Sequence, residues 1–271
     1  MNAPDKFFLP DIQASADPRQ VAIQQVGIRG VRYPLQLAAG GTEQGTVADI
    51  EMTVGLPADV RGTHMSRFLE ILERPRTALA PADLPRLLDE MLKHLGAESG
   101  TVRLQFPWFM RKAAPVSGVE SLLDVDVVLE VAREPGAIST LVVEVCVPVT
   151  SLCPCSKNIS DYGAHNQRSH VTVRATVRDG GPVPDLGELV RYAEESASCE
   201  VFGLLKRPDE KWVTERAYDN PRFVEDLVRE VALRLRQDAR IGQWVVIAEN
   251  FESIHNHSAY AQIRGRNDTP A

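Results

Sequence analysis

The sequence is poor in features that would place it in a membrane, outside the cell or on a nucleic acid. No stretch approaches the roughly 20 apolar residues of a membrane-spanning helix, and residues 1–20 are polar and proline-punctuated, without a signal-peptide core. Only 4 of the 271 residues are cysteine, which is typical of a reduced cytosolic protein. We therefore expect a cytoplasmic protein with no membrane partner.

The chain also lacks an excess of basic residues. It carries 30 Lys and Arg against 37 Asp and Glu, a formal charge of −7 with a pI near 5.5. Binding to a nucleic-acid backbone requires a basic face, so we expect no nucleic-acid partner. A small anionic ligand in one local basic pocket is still allowed. With 44% hydrophobic and 25% charged residues the chain is globular, as one large domain or two halves.

The order of predicted elements occurs twice. Apolar periodicity predicts strand, strand, helix, helix, strand, strand at 21–38, 45–54, 66–73, 81–95, 101–109 and 122–131, and the same order at 139–149, 168–177, 185–196, 221–237, 244–251 and 258–264. We predict a flexible segment at 1–20 and two ββααββ units, at 21–135 and 136–267. The class is α+β, with helices on one face of antiparallel sheets. Sheet edges need partners, so closure into a barrel across subunits predicts an oligomer.

One segment, 151–157, has the sequence Ser-Leu-Cys-Pro-Cys-Ser-Lys and is followed by His165. Thiolate and imidazole are ligands of borderline divalent metals such as zinc. The β-branched run at 141–149 predicts a buried strand, so Cys153 and Cys155 lie where a strand leaves the core. Two free thiols or a redox pair are the alternatives. Cys146 and Cys199 lie in apolar surroundings and are expected in the core.

Four further segments are dense in reactive side chains. The segment 62–68 joins a strand to a helix, 205–215 is predicted to be a charged connection, 220–226 opens the long helix, and 249–257 lies at a strand junction. Each has an ordinary alternative. In these alternatives, Glu225 and Asp226 only complement a helix dipole in a first turn, and the stretch 206–211 is a solvated loop. His255 and His257 are then ordinary strand histidines.

Together these segments resemble the prokaryotic type IB GTP cyclohydrolases of the tunnel-fold (T-fold) superfamily. The resemblance runs from about Gly62 to the end of the chain. It is strongest in SLCPCSK at 151–157, LLKRPDEKWVTE at 204–215, NPRFVEDLVR at 220–229 and ESIHNHSA at 252–259. It implies a metal-dependent enzyme that converts GTP and water to 7,8-dihydroneopterin triphosphate and formate, the first step of folate-type pterin synthesis. It also implies two tunnel-fold units per chain and a homotetramer with active sites between subunits.

The resemblance also implies roles for individual residues. The metal ligands fall on Cys153, Cys155, His165 and Glu210, and either cysteine could be the ligand in the resting state. Glu225 matches the acid that holds guanine, and a carboxylate can accept from both N1–H and the exocyclic amine. His255 matches the proton-transfer histidine. The type IA enzymes have more sulfur ligands, so manganese or iron(II) should compete with zinc here.

The triphosphate requires cations near these motifs. The candidates that flank them are Lys157, Arg67, Arg168, Lys206, Arg207 and Lys211, with His64 as a further pocket residue. Two alternatives to a cyclohydrolase stay open. One is a pterin- or purine-binding tunnel-fold protein with a structural metal, and the other is a relative that processes a deazapurine nitrile through Cys155 as nucleophile.

Overall fold

The computed structural model describes residues 11, 13, 15–75 and 77–267. Most of the segment predicted to be flexible, at 1–20, lies outside the described residues. Its described part pairs with the body of the protein, because Ala16 forms a β-bridge to Val60 and Asp17 N–H donates to Asp59 O at 2.9 Å.

Nine strands form one antiparallel sheet. The strands are β1 (Ile23–Ala39), β2 (Thr42–Leu56), β3 (Gly100–Ala113), β4 (Glu120–Arg133), β5 (Thr140–Leu152), β6 (Asn166–Val177), β7 (Cys199–Glu200), β8 (Ile241–Phe251) and β9 (Ala259–Arg266). Their order in the sheet is β1-β2-β3-β4-β5-β6-β8-β9, and β7 pairs with β5. The predicted boundary at 135/136 falls in the turn between β4 and β5, and the sheet is continuous across it.

The helices are α1 (Met65–Leu72), α2 (Leu84–Leu95) after a 3-10 turn at Pro81–Asp83, α3 (Pro154–Ile159), α4 (Leu186–Glu194), α5 (Arg207–Asp219) and α6 (Val224–Gln237). The apolar stripes of α2, α4 and α6 pack on one face of the sheet and form a single core with it. No helix in the described part of the chain is long and apolar enough to cross a membrane.

Two predictions about local structure were wrong. The stretch 205–215 was predicted to be a charged connection, and most of it forms α5. This helix buries only Asp209 and Ala217, so it shows no apolar stripe that periodicity could detect. The second half also contains the short α3, directly after β5, where a strand exit alone was predicted.

Proline marks where the sheet is interrupted near the predicted site. On β5, pairing with β4 ends at Cys146 and pairing with β7 begins at Val149. Pro148 lies between these two points, where a residue without an N–H is tolerated. On its other edge β5 stays paired with β6 as far as Leu152 and Asn166, so the segment 153–165 leaves the sheet only after Leu152.

Candidate functional site

Cys153 is held at the start of α3. β5 ends at Leu152, and Cys153 is the N-cap residue, with Pro154 at the first helical position. Its Sγ accepts from the Ser156 N–H at 3.5 Å, and the Cys153 side chain is partly buried while Cys155 is exposed. Neither thiol forms a disulfide, so both are available as soft donors.

His165 lies close to the same short helix. Its backbone N–H donates to Ser156 Oγ at 3.3 Å, so one serine contacts both Cys153 and His165. The Nδ1 atom of His165 is buried and has no hydrogen-bond partner among the described residues. A buried ring nitrogen without a partner is available to bind a ligand or an ion.

A cavity of about 210 Å³ joins the cysteine segment to the start of α6. It brings Cys153 and Glu225 to one space although they are far apart in sequence. The lining residues are Cys153, Gln167, Arg222, Phe223, Val224, Glu225, Asn250, Glu252 and Ala259. The connection is fixed by the backbone, because the Arg222 N–H donates to Leu152 O at 3.0 Å.

At the start of α6, Asp226 caps the helix and the adjacent Glu225 faces the cavity. Asp226 caps the helix by accepting from the Phe223 N–H at 3.1 Å. Glu225, one residue earlier, is exposed towards the cavity and has no hydrogen-bond or ion-pair partner among the described residues. One N–H at the start of α6 is thus paired with Asp226, and Glu225 is left to meet a ligand.

The core becomes polar where it meets this cavity. Ser151 and Ser169 share a hydrogen bond of 2.6 Å between their hydroxyls, and next to them lie Gln167 on β6 and Asn250 on β8. Seven buried side-chain N or O atoms lack a partner within the described ranges, and four belong to this region. The four are His165 Nδ1, Gln167 Oε1, Arg222 Nε and Asn250 Oδ1. Buried polar atoms are normally paired, so such a concentration indicates a ligand site.

His255 lies in the turn between β8 and β9. Its Nε2 is 3.5 Å from Glu252 Oε2, and Glu252 lines the cavity. The ring of His255 stacks on that of His257, with centroids 4.9 Å apart. Both rings are exposed, and His255 is linked to the cavity through Glu252.

Glu210 lies in the first turn of α5, next to a buried anchor. Asp209 accepts hydrogen bonds from Val116 N–H, Ser117 N–H and hydroxyl, and Lys206 N–H. Burial acts to raise the pKa of Asp209, but these hydrogen bonds outweigh burial and hold the pKa well below its usual range. Glu210 itself is exposed.

The four predicted metal ligands do not form one cluster. Among the described residues, no three Cys, His, Asp or Glu side chains are placed to hold a metal ion. Cys153, Cys155 and His165 lie on one short segment, whereas Glu210 lies on α5. The donors fit a borderline divalent ion in chemical type, since free thiols lie beside a buried, unpaired imidazole nitrogen.

The predicted triphosphate cations lie outside the cavity. Lys157 donates from Nζ to Tyr218 O at 2.5 Å and lies 4.1 Å above the Tyr218 ring, which ties α3 to the end of α5. Lys206 and Arg207 are exposed at the start of α5. On α1, His64 pairs with Asp11 at 3.0 Å, and Arg67 lies one turn further along. Two more flanking cations, Arg168 and Lys211, lie on β6 and α5, and Lys211 pairs with Glu215.

Of the two other cysteines, Cys199 is buried as expected, whereas Cys146 is only partly buried. Burial raises the pKa of Cys146, and burial with the nearby Glu200 carboxylate raises that of Cys199 to about 12. Neither thiol will ionise near neutral pH.

Sequence analysis gave no role to Gln167, Arg222, Asn250 or Glu252. The detectable signal was strand alternation. Gln167 shares the inward phase of Ser169 and Val171, and Asn250 shares that of Ala248. A carboxamide on the apolar phase of a strand is the feature that could have pointed to them.

Comparisons with known proteins point to one family. A family model described as "Type I GTP cyclohydrolase folE2" matches residues 9–261. The chain is 61% identical over 269 residues to "GTP cyclohydrolase FolE2 1" of Dechloromonas aromatica, covering 99% of this chain and 100% of that protein. It is 57% identical over 257 residues to "GTP cyclohydrolase FolE2 2" of Cupriavidus metallidurans, covering 95% of each.

Among solved structures, the chain is similar to uricase from Arthrobacter globiformis, with a TM-score of 0.54 at 10% identity over 92% of this chain and 95% of that one. A hyper-thermostable mutant of the same uricase gives a TM-score of 0.51 at 11% identity, over 90% and 92%. This likeness shows the fold alone. It confirms the predicted α+β class and tunnel fold, with helices on one face of an antiparallel sheet.

Proposed function

Because this chain belongs to the type I GTP cyclohydrolase folE2 family, it is a GTP cyclohydrolase of folate biosynthesis. We propose that its active site is the cavity between the end of β5, the start of α6 and the turn at 252–258. The reaction takes GTP and water to 7,8-dihydroneopterin triphosphate and formate. One observation carries the placement: Cys153 and Glu225 line the same space, next to a buried His165 nitrogen without a partner.

In this proposal Glu225 orients the base. Its carboxylate, which no described residue engages, accepts from N1–H and the exocyclic amine of guanine. Adenine offers no such pair of donors, so the contact selects guanine. The backbone bond between Arg222 and Leu152 keeps this carboxylate at a fixed distance from the cysteine segment.

His255 moves the proton in this proposal. It is close enough to Glu252 for an ion pair when protonated, and that carboxylate, which lines the cavity, links the ring to the site. An exposed histidine near neutral pH can donate a proton to the leaving ring nitrogen and recover it from water.

We propose that Cys153, Cys155, His165 and Glu210 would hold a divalent ion, although the single chain does not bring them together as one cluster. When bound, manganese, zinc or iron(II) supplies activation of water, which is a poor nucleophile on its own. The chain's own contribution is to present the donors. Ser156 holds Cys153 and His165 on either side of itself, and the four hydrogen bonds on Asp209 fix the turn that carries Glu210.

The protein is further proposed to act as a homotetramer with active sites between subunits. Large apolar side chains near the cavity mouth are exposed in the single chain: Ile159, Tyr162, Phe223, Phe251 and Ile254. The sheet also ends in two strands, β1 and β9, with one neighbour each. Pairing these edges between copies would close a barrel.

The candidates to hold the triphosphate at the mouth of the cavity are then Arg67, His64, Lys206, Arg207 and Lys157. Free cysteines fit a cytoplasmic site of action.

The test is direct. Protein loaded with manganese, zinc or iron(II) is incubated with GTP, and formate release is measured together with the fluorescent pterin formed on oxidation. Both products should appear in equal amounts, and sedimentation should give four chains per particle. Metal-loaded protein that releases no formate would contradict the assignment. The family match selects this reaction over the nitrile-processing and non-catalytic alternatives.

A further inference from the structure

Guanine has two kinds of hydrogen-bonding edge, and Glu225 can serve only one. A carboxylate accepts hydrogen bonds, so it can meet N1–H and the exocyclic amine. The carbonyl O6 and ring nitrogen N7 are acceptors and require donors from elsewhere. A buried acceptor left without a donor weakens binding, so the cavity should contain donors for this second edge.

Two carboxamides lie at the floor of the cavity. Gln167 on β6 and Asn250 on β8 line it, and they are only 6% and 2% exposed. Gln167 pairs across the sheet with Ser151, and Asn250 pairs with Ser169. Both therefore project to the helix side of adjacent strands, at the polar end of the core.

Neither carboxamide has a hydrogen-bond partner among the described residues. Gln167 Oε1 and Asn250 Oδ1 are buried and unpaired, and the amide nitrogens Nε2 and Nδ2, which are the donors, make no hydrogen bond there either. The neighbouring hydroxyls of Ser151 and Ser169 are already bonded to each other. Unpaired buried amides destabilise a fold, and positions that break this rule tend to be functional.

We propose that Gln167 and Asn250 are specificity-determining residues that bind the acceptor edge of the base, donating from their amide groups to O6 and the adjacent ring nitrogen while Glu225 takes the donor edge. This inference rests on the proposed function, because it assumes that GTP occupies this cavity. A carboxamide suits the role because it donates and accepts without adding charge beside Glu225 and Glu252.

The test compares stability with substrate recognition. Gln167→Met and Asn250→Leu remove the polar group and keep most of the volume. Since an unpaired buried group is lost, the melting temperature should stay level or rise. kcat/KM for GTP should fall by about tenfold to a hundredfold, as expected when a buried substrate group loses its partner. Thr53→Val is the matched control, because Thr53 Oγ1 is also buried and unpaired but lies on β2, outside the cavity. It should leave GTP kinetics unchanged.

A nucleotide analogue distinguishes the two edges. Inosine triphosphate keeps O6 and N7 but lacks the exocyclic amine. Its inhibition constant should rise in Gln167→Met by about the same factor as the loss on GTP, whereas Glu225→Gln should affect GTP more than the analogue. If Gln167→Met does not fold, Gln167→Glu keeps the shape and removes the donor, and the same loss is expected.

Unchanged GTP kinetics in both carboxamide variants would overturn the inference and leave the proposed function intact. A fall in melting temperature that matches the loss of activity would also overturn it, since the amides would then be structural. Wild-type protein without activity on GTP would instead refute the proposed function first.

Discussion

The adjacent acids Glu225 and Asp226 should give opposite results when mutated. Asp226 accepts the Phe223 N–H and caps α6, whereas Glu225 faces the cavity without a partner. If Glu225 only complemented the helix dipole, Glu225→Gln would cost about 0.3–1 kcal/mol of stability and leave catalysis alone. The structure argues against that alternative, because Asp226 already supplies a carboxylate that caps the first turn of α6.

The expected loss in Glu225→Gln follows from the hydrogen bonds it removes. A carboxylate can accept from both N1–H and the exocyclic amine, and glutamine offers one oxygen and turns an N–H2 group toward a base donor. A hydrogen bond to a charged group contributes about 1.5–3 kcal/mol, so kcat/KM for GTP should fall by about tenfold to 150-fold. The melting temperature and the metal content should hardly change.

Asp226→Ala is the matched control. Loss of the cap should lower the free energy of unfolding by about 0.5–2 kcal/mol, while kcat/KM stays close to wild type at a temperature where both proteins are folded. Steady-state kinetics by formate release, with thermal unfolding on the same preparations, gives both quantities. Normal GTP kinetics in Glu225→Gln would remove Glu225 from the base pocket and refute the reasoning.

Three further outcomes are expected. His255→Ala should lower kcat by about 10²–10⁴-fold with metal content retained, and His94→Ala, on α2, should not; joint loss of metal would instead make His255 a ligand. Chelation should abolish turnover without loss of secondary structure by circular dichroism, and manganese should restore activity at least as well as zinc; full activity in metal-free protein would contradict this. Since the pKa of Asp209 is lowered in the folded state, the stability that its carboxylate contributes is present above the unfolded pKa of about 4 and is lost as pH falls below it. The free energy of unfolding of Asp209→Asn should therefore change less between neutral and acid pH than that of the wild type. An equal change with pH in both proteins would exclude this stabilising role of Asp209.

The sequence predicted the parts of the fold whose side chains alternate or recur regularly. The strands and α2, α4 and α6 have apolar residues on one face, which periodicity detects. It missed α5 because that helix has almost no buried face, although Pro208 at its start and the acidic residues after it are helix-start signals. It missed α3 because six residues are too few for a period.

For the site, sequence reasoning identified residues but not their neighbours. Cys153 and Glu225 stood out because their segments are dense in reactive groups, and the structure places them on one cavity. Gln167 and Asn250 were not identified because their meeting depends on how β5, β6 and β8 pair, which is a non-local property. Glu210 was grouped with the cysteines, and in the single chain it does not join them.

The bond between the Arg222 N–H and Leu152 O affects which changes of length the chain can accept. It joins the last residue of β5 to the approach to α6, so the spacing of the two ends of the cavity is set by main chain and not by any side chain. An added residue between Leu152 and Cys153, or between Arg222 and Glu225, would shift one end by about 3.5 Å, more than a hydrogen bond can absorb. The Gly40–Gly41 turn between β1 and β2 does not line the cavity, so an insertion there should leave the spacing of its two ends unchanged. We therefore expect this enzyme to tolerate changes of length at the β1–β2 hairpin and not at the two ends of the cavity.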